Sequence, residues 1–140
     1  MKSKAPLSLM EQLVMLLVFA LAAALCLQIF VVSSRISREC ETRDRAVAVV
    51  QNAAETLKST RGDLEAATQL YGGICREGQW RMGFDEAWQE ASPEGALYCL
   101  VVTVTEQENP LLGTADVTVQ NREGETIFQI GAAWQEGTDG

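Results

Sequence analysis

The chain has 140 residues, 19 acidic against 11 basic side chains for a formal net charge of −8, and no histidine. That length supports one small domain with its own core, not two, and the missing histidine removes Ser-His-Asp catalysis, Cys-His catalysis and His-ligated metals. From Gly62 onward fourteen acids face only Arg76, Arg81 and Arg122, so nucleic-acid binding is not expected, because phosphate contacts need clustered cations.

The first element is the apolar run at 7–32, LSLMEQLVMLLVFALAAALCLQIFVV, in which positions 13–32 carry one polar interruption, Gln28. Twenty helical residues span roughly 30 Å, the thickness of a hydrocarbon core, and lipid demands that every backbone polar group be paired within the segment. Lys2 and Lys4 before the run give it the outline of a secretory signal. Cleaved signals carry an apolar region of only ~7–15 residues, however. The sole A-x-A candidates, at 20–24, would leave LCLQIFVV as the new terminus. A retained single-pass membrane anchor is expected. Basic residues flank it on both sides, Lys2 and Lys4 before and Arg35, Arg38, Arg43 and Arg45 after, so the positive-inside rule leaves its orientation open.

Glu11 stands at the edge of this run. One interpretation is structural: Ser8-x-x-Glu11 fits a capping box that satisfies orphan amides at a helix start. The other gives the carboxylate a functional role.

Nothing stops the helix at Val32. Over 33–59 the chain turns polar but keeps a helical period, with Ile36, Cys40, Val47, Val50, Ala54 and Leu57 as an apolar stripe. Arg35 and Glu39, and Glu41 and Arg45, stand at i,i+4, where opposite charges can pair weakly. Gly62 suits a helix C-cap and Asp63 an N-cap. A short helix is expected over 63–71, with Leu64, Ala67, Leu70 and Tyr71 inward and Gly72 and Gly73 closing it. The period then changes to two. Strands are expected around Trp80, Met82 and Phe84, over 96–105, around Ala115, Val117 and Val119, and around Phe128, Ile130, Ala132 and Trp134. Asn121-Arg122-Glu123-Gly124 reads as a hairpin loop with Gly124 free to take positive φ. The expected fold is α+β: a long N-terminal helix over 7–61, membrane-embedded in its first half, packed on a small antiparallel sheet of about four strands, with a head over 62–140.

The chemistry-bearing residues are few. Asp85 with Glu86, and Glu106 with Glu108, lack the loop pattern of a calcium site and are expected to be solvated charges. Trp80, Trp88 and Trp134 are expected in or beside the sheet's core. Cys26, Cys40, Cys75 and Cys99 show no C-x-x-C spacing. Cys75 and Cys99 share the head and are a candidate disulfide in an oxidising compartment, two buried thiols being the alternative. No catalytic set, metal site or cofactor is expected.

A short basic leader, an aliphatic residue, Glu at the fifth place after it and a straight apolar helix running into an amphipathic one resemble the type IV pilins and pseudopilins. The resemblance implies a first mature residue at Leu7, because Leu7-Ser8-Leu9-Met10-Glu11 places Glu fifth, and a leader over 1–6 removed by a prepilin peptidase. Pro6 stands before that bond where the family has Gly, and its fixed φ and missing N–H hinder a protease. The resemblance further implies that Glu11 meets the new amine of a neighbouring subunit. The chain would then serve as a minor pilin or pseudopilin of a pilus, competence or type II secretion-like apparatus, with its head outside the cytoplasm and other pilin-like subunits as partners. The alternative is a permanently anchored extracytoplasmic binding or sensing module that never polymerises.

Overall fold

A computed structural model describes residues 5–106 and 108–137. Lys2 and Lys4 of the leader-like segment lie outside the described residues. The chain divides into two compact units, one ending at Glu41 and the other beginning at Thr42. Helix α1, Ala5–Ser59, contributes to both.

In the second unit the last eighteen residues of α1 supply one layer of the core. Ala46, Val49, Val50, Ala53, Ala54 and Leu57 are buried, a spacing of threes and fours that lines one helical face. Val50, Ala54 and Leu57 belong to the stripe expected from the sequence, but Ile36 and Cys40 are exposed and Val47 is half-buried. Half of the buried positions are alanine, so the bulk at this interface comes from the opposing sheet.

The helix stops where Gly62 takes φ +82° and donates its N–H to Leu57 O at 2.9 Å, an αL termination that satisfies a carbonyl the helix leaves free. Asp63 then caps α2, Leu64–Tyr71, its Oδ1 accepting from the N–H groups of Glu65 and Ala66 at 3.1 Å. Ala67 is buried and Leu64 and Tyr71 pack against the core, whereas Leu70, expected inward, points to solvent.

Six strands follow: β1 Ile74–Arg76, β2 Gln79–Phe84, β3 Glu90–Ala91, β4 Tyr98–Thr105, β5 Leu112–Asn121 and β6 Thr126–Gln135. They form one antiparallel sheet in the order β1-β2-β4-β5-β6, with β3 also on β2. β1 pairs Gln79 to Arg81 of β2, while β3 pairs Gly83 and Phe84, so the two short strands share one edge. The α+β class and the long helix on a small antiparallel sheet agree with expectation, and the four expected strands are β2, β4, β5 and β6.

Alternation decides the two faces. Trp80, Met82, Phe84, Leu100, Val102, Ala115, Val117, Val119, Ala132 and Trp134 are buried toward α1. Arg81, Thr105, Asp116, Gln129 and Gln135 lie on the other, solvated face. All three tryptophans belong to the core or its margin. Trp80 donates its indole N–H to Gly72 O at 2.8 Å and meets Tyr71 edge-on at 5.9 Å. Trp88, at φ +59°, stacks on Tyr98 with centroids 4.3 Å apart.

Candidate functional site

The N-terminal unit presents an apolar surface over 7–32. The seventeen large hydrophobic side chains between Leu7 and Val32 are each 51–74 % exposed. At about 2 kcal/mol for each such side chain brought out of water, covering them is worth on the order of 30 kcal/mol. A surface of that kind requires a cover. α1 contains a window long and apolar enough to cross a membrane, and none of that window is buried within the protein.

Pro6 is the second residue of α1, a first-turn position where its missing N–H removes no intrahelical bond. The Pro6–Leu7 peptide bond is therefore helical. Ser8 and Glu11 also lie inside α1. An N-cap residue has non-helical backbone, which rules out the capping-box account of this pair. Glu11 is exposed, and among the described residues its carboxylate has no hydrogen-bond or ion-pair partner in the chain. It stands as the one carboxylate of the apolar stretch 7–32.

The charged pairs expected further along do not close. Among the described residues the ion pair present is Lys58–Glu55 at 3.6 Å, with both side chains well exposed, and such a pair contributes little.

The head carries a polar cleft of about 710 Å³ beside the β1–β3 edge, with Arg76, Arg81, Glu77, Glu90 and Glu94 on its walls. Its charges are partly engaged: Arg81 donates to Gln79 Oε1 at 2.8 Å, and Glu90 Oε1 accepts from Gly73 N at 3.0 Å. Sequence reading missed this cleft: β2, which supplies Arg81, was expected as a strand, but the other walls come from β1, β3 and loops that carry no periodic signal. Asp85 is structural, its Oδ1 accepting from Gln89 N at 2.9 Å in the turn that holds Trp88. Among the described residues no three His, Cys, Asp or Glu side chains gather where they could hold a metal ion.

The Cys75–Cys99 disulfide is not formed; both thiols are free and half-buried. Register explains why. Cys75 is paired with Trp80 and Cys99 with Gly83, so the first shares the core face with Trp80 and the second the opposite face. Two inter-strand spacings, about 10 Å, already exceed the Cα separation of about 7 Å that a disulfide allows. Burial raises the Cys99 thiol pKa, and the nearby Arg81 guanidinium only partly offsets it. Alkylation of the unreduced protein should therefore modify both Cys75 and Cys99. The Cys99 rate should keep rising at pH values where an ordinary thiol is already fully ionised, because a raised pKa leaves less thiolate at any given pH. Peptide mass mapping across a pH series checks this, and a Cys75–Cys99 linked peptide would contradict it.

The fold and site thus define a small α+β head built on a helix whose first half is an uncovered apolar surface. No family model matches the chain, and neither a curated protein nor a solved structure does.

Proposed function

We propose that the chain is a pilin-like subunit, a minor pilin or pseudopilin of a type IV pilus, competence or type II secretion-like apparatus. One observation carries this reading. A single helix, Ala5–Ser59, is apolar and uncovered over its first half and supplies the core of an antiparallel sheet with its last turns. Before assembly the uncovered half sits in lipid as a single-pass anchor, with the head outside the cytoplasm. On assembly the same side chains are covered by equivalent helices of neighbouring subunits, so the exchange of lipid for protein costs little apolar burial.

Within such a bundle an unpaired carboxylate is strongly unfavourable, and an opposed cation satisfies it. Glu11 then acts as a register key: the neighbour whose Leu7 amine lies opposite is held, and a neighbour shifted along the axis leaves both charges unpaired. The implied partners are other pilin-like subunits, a prepilin peptidase acting at Pro6 and Leu7, and the membrane.

Pro6 favours a second reading, a permanently anchored extracytoplasmic binding or sensing module, since a proline before the scissile bond hinders processing. Expression in a cell that assembles type IV pili, followed by shearing of surface filaments, separates the two. A subunit is recovered in the sheared fraction; a permanent anchor stays wholly with the membrane.

A further inference from the structure

The two edges of the sheet are treated differently. The β1–β3 edge is divided between strands of three and two residues, carries Arg76 and Glu90, and is followed by Pro93. These are the devices that keep an edge from recruiting further strands. The β6 edge has none of these three, its one irregularity being a bulge at Ile127 near its start. Thr126–Gln135 is ten residues, TIFQIGAAWQ, without a charge or a proline, in a head whose sequence from Gly62 on carries fourteen acids.

The direction of its free hydrogen-bonding groups follows from the ends of the β5–β6 ladder. Asn121 N donates to Glu125 O at 2.9 Å and Glu136 N donates to Leu111 O at 3.0 Å. With the observed register, Val119, Val117, Ala115 and Gly113 therefore exchange bonds with Phe128, Ile130, Ala132 and Trp134. Gln129, Gly131, Ala133 and Gln135 direct their N–H and C=O groups away from β5. All four residues are exposed, and among the described residues nothing pairs with that side of β6.

We propose that β6 is a strand-addition site for an extended segment of a different protein, uncharged and alternating in its middle and basic at both ends. Backbone pairing supplies the affinity and the flanks supply the selection. Glu123 and Glu125 outnumber Arg122 at one end of β6, and Glu136 stands at the other, where the Arg61 guanidinium lies next to Gly137. A second copy of this chain is disfavoured in either orientation. Full antiparallel overlap of two β6 strands sets Glu125 opposite Glu136 at both ends, and parallel pairing brings the acidic groups of each end close together. Like charges directly opposite oppose pairing. The proposal does not depend on whether the anchor polymerises.

The test uses the full chain in detergent micelles and a labelled peptide of alternating threonine and valine with lysines at both ends. Anisotropy titration is expected to show saturable binding, weakened by added salt as surface charge is screened. The same peptide with glutamates at its ends should bind at least about tenfold more weakly. Amide exchange should slow at Gln129, Gly131, Ala133 and Gln135 when the lysine peptide is bound. Ala133→Pro removes one outward N–H and leaves the β5 ladder intact, so it should reduce affinity by about tenfold. Gly131→Lys puts a charged side chain where an added Cβ meets nothing within 4 Å, and it should weaken binding with an unchanged melting temperature. Absence of binding, equal binding of the two peptides, protection elsewhere on the head, or dimerisation of the chain through β6 would each overturn the proposal.

Discussion

Glu11→Ala is expected to reduce recovery of the chain in sheared filaments by about 100-fold while leaving its amount in the membrane unchanged. The magnitude follows from breaking one side of a buried charge pair, which costs about 3 kcal/mol or more and corresponds to two decades in an equilibrium constant. Glu11 has no partner within its own chain among the described residues and does not cap α1, so the monomer loses nothing that would unfold it. In lipid the alanine is better tolerated than the carboxylate, which is why membrane levels should hold. Glu11→Gln keeps the shape and removes the charge, and should fall close to alanine. Quantitative immunoblotting of the membrane and sheared fractions reads all three proteins. Equal incorporation of wild type and Glu11→Ala would mean that the carboxylate selects no neighbour.

Gly113→Ala should destabilise the head by about 2–3 kcal/mol, an overpacking cost, and lower its melting temperature by roughly 10 °C or more. Trp134 is 6 % exposed and lies in a slot between two glycines. A Cβ added at Gly113 would stand 2.2 Å from Trp134 Cε2 and Nε1, and one at Gly62 would stand 2.3 Å from Cζ2. Among the described residues the indole N–H of Trp134 has no partner, so no polar anchor there guides a repositioned ring. Gly62→Ala should be worse than Gly113→Ala, because φ +82° adds a backbone penalty to the clash. Gly124→Ala isolates that second cost: it has φ +84° and nothing within 4 Å of the added methyl group, and should lose only about 1 kcal/mol. Thermal melts followed by near-ultraviolet circular dichroism rank the three. If Gly124→Ala were as damaging as Gly113→Ala, the slot around Trp134 would not be the constraint.

These glycines also mark the limit of what the sequence revealed. Gly62 was legible as a helix stop and Gly124 as a positive-φ hairpin residue, because both are local turn chemistry. Gly113 gave no signal, since its reason is an indole twenty-one residues away. The four strands with a clear two-residue period were legible, while β1 and β3 were not, because three and two residues carry no period and owe their conformation to pairing with β2. The buried face of α1 was found at Val50, Ala54 and Leu57 and missed at Ala46 and Ala53, where alanine is a weak hydrophobic marker, and at Val49, in whose place the stripe took the half-buried Val47. It was extended too far toward Ile36 and Cys40, because periodicity shows a face without showing where its partner ends. Sharing a domain made Cys75 and Cys99 a candidate pair; the register put them on opposite faces. Of the candidate site, the apolar run and Glu11 were visible as sequence, and the structure removed the capping role that competed for Glu11. The open β6 edge could not be read, since strand order is a property of the assembled sheet.

The most direct measurement is the intact mass of the membrane-extracted chain expressed with and without a prepilin peptidase. The account predicts loss of residues 1–6 only when the peptidase is present, leaving a free amine on Leu7 for Glu11 of a neighbouring subunit. A full-length mass in both cases would contradict it and leave the helix as a permanent anchor.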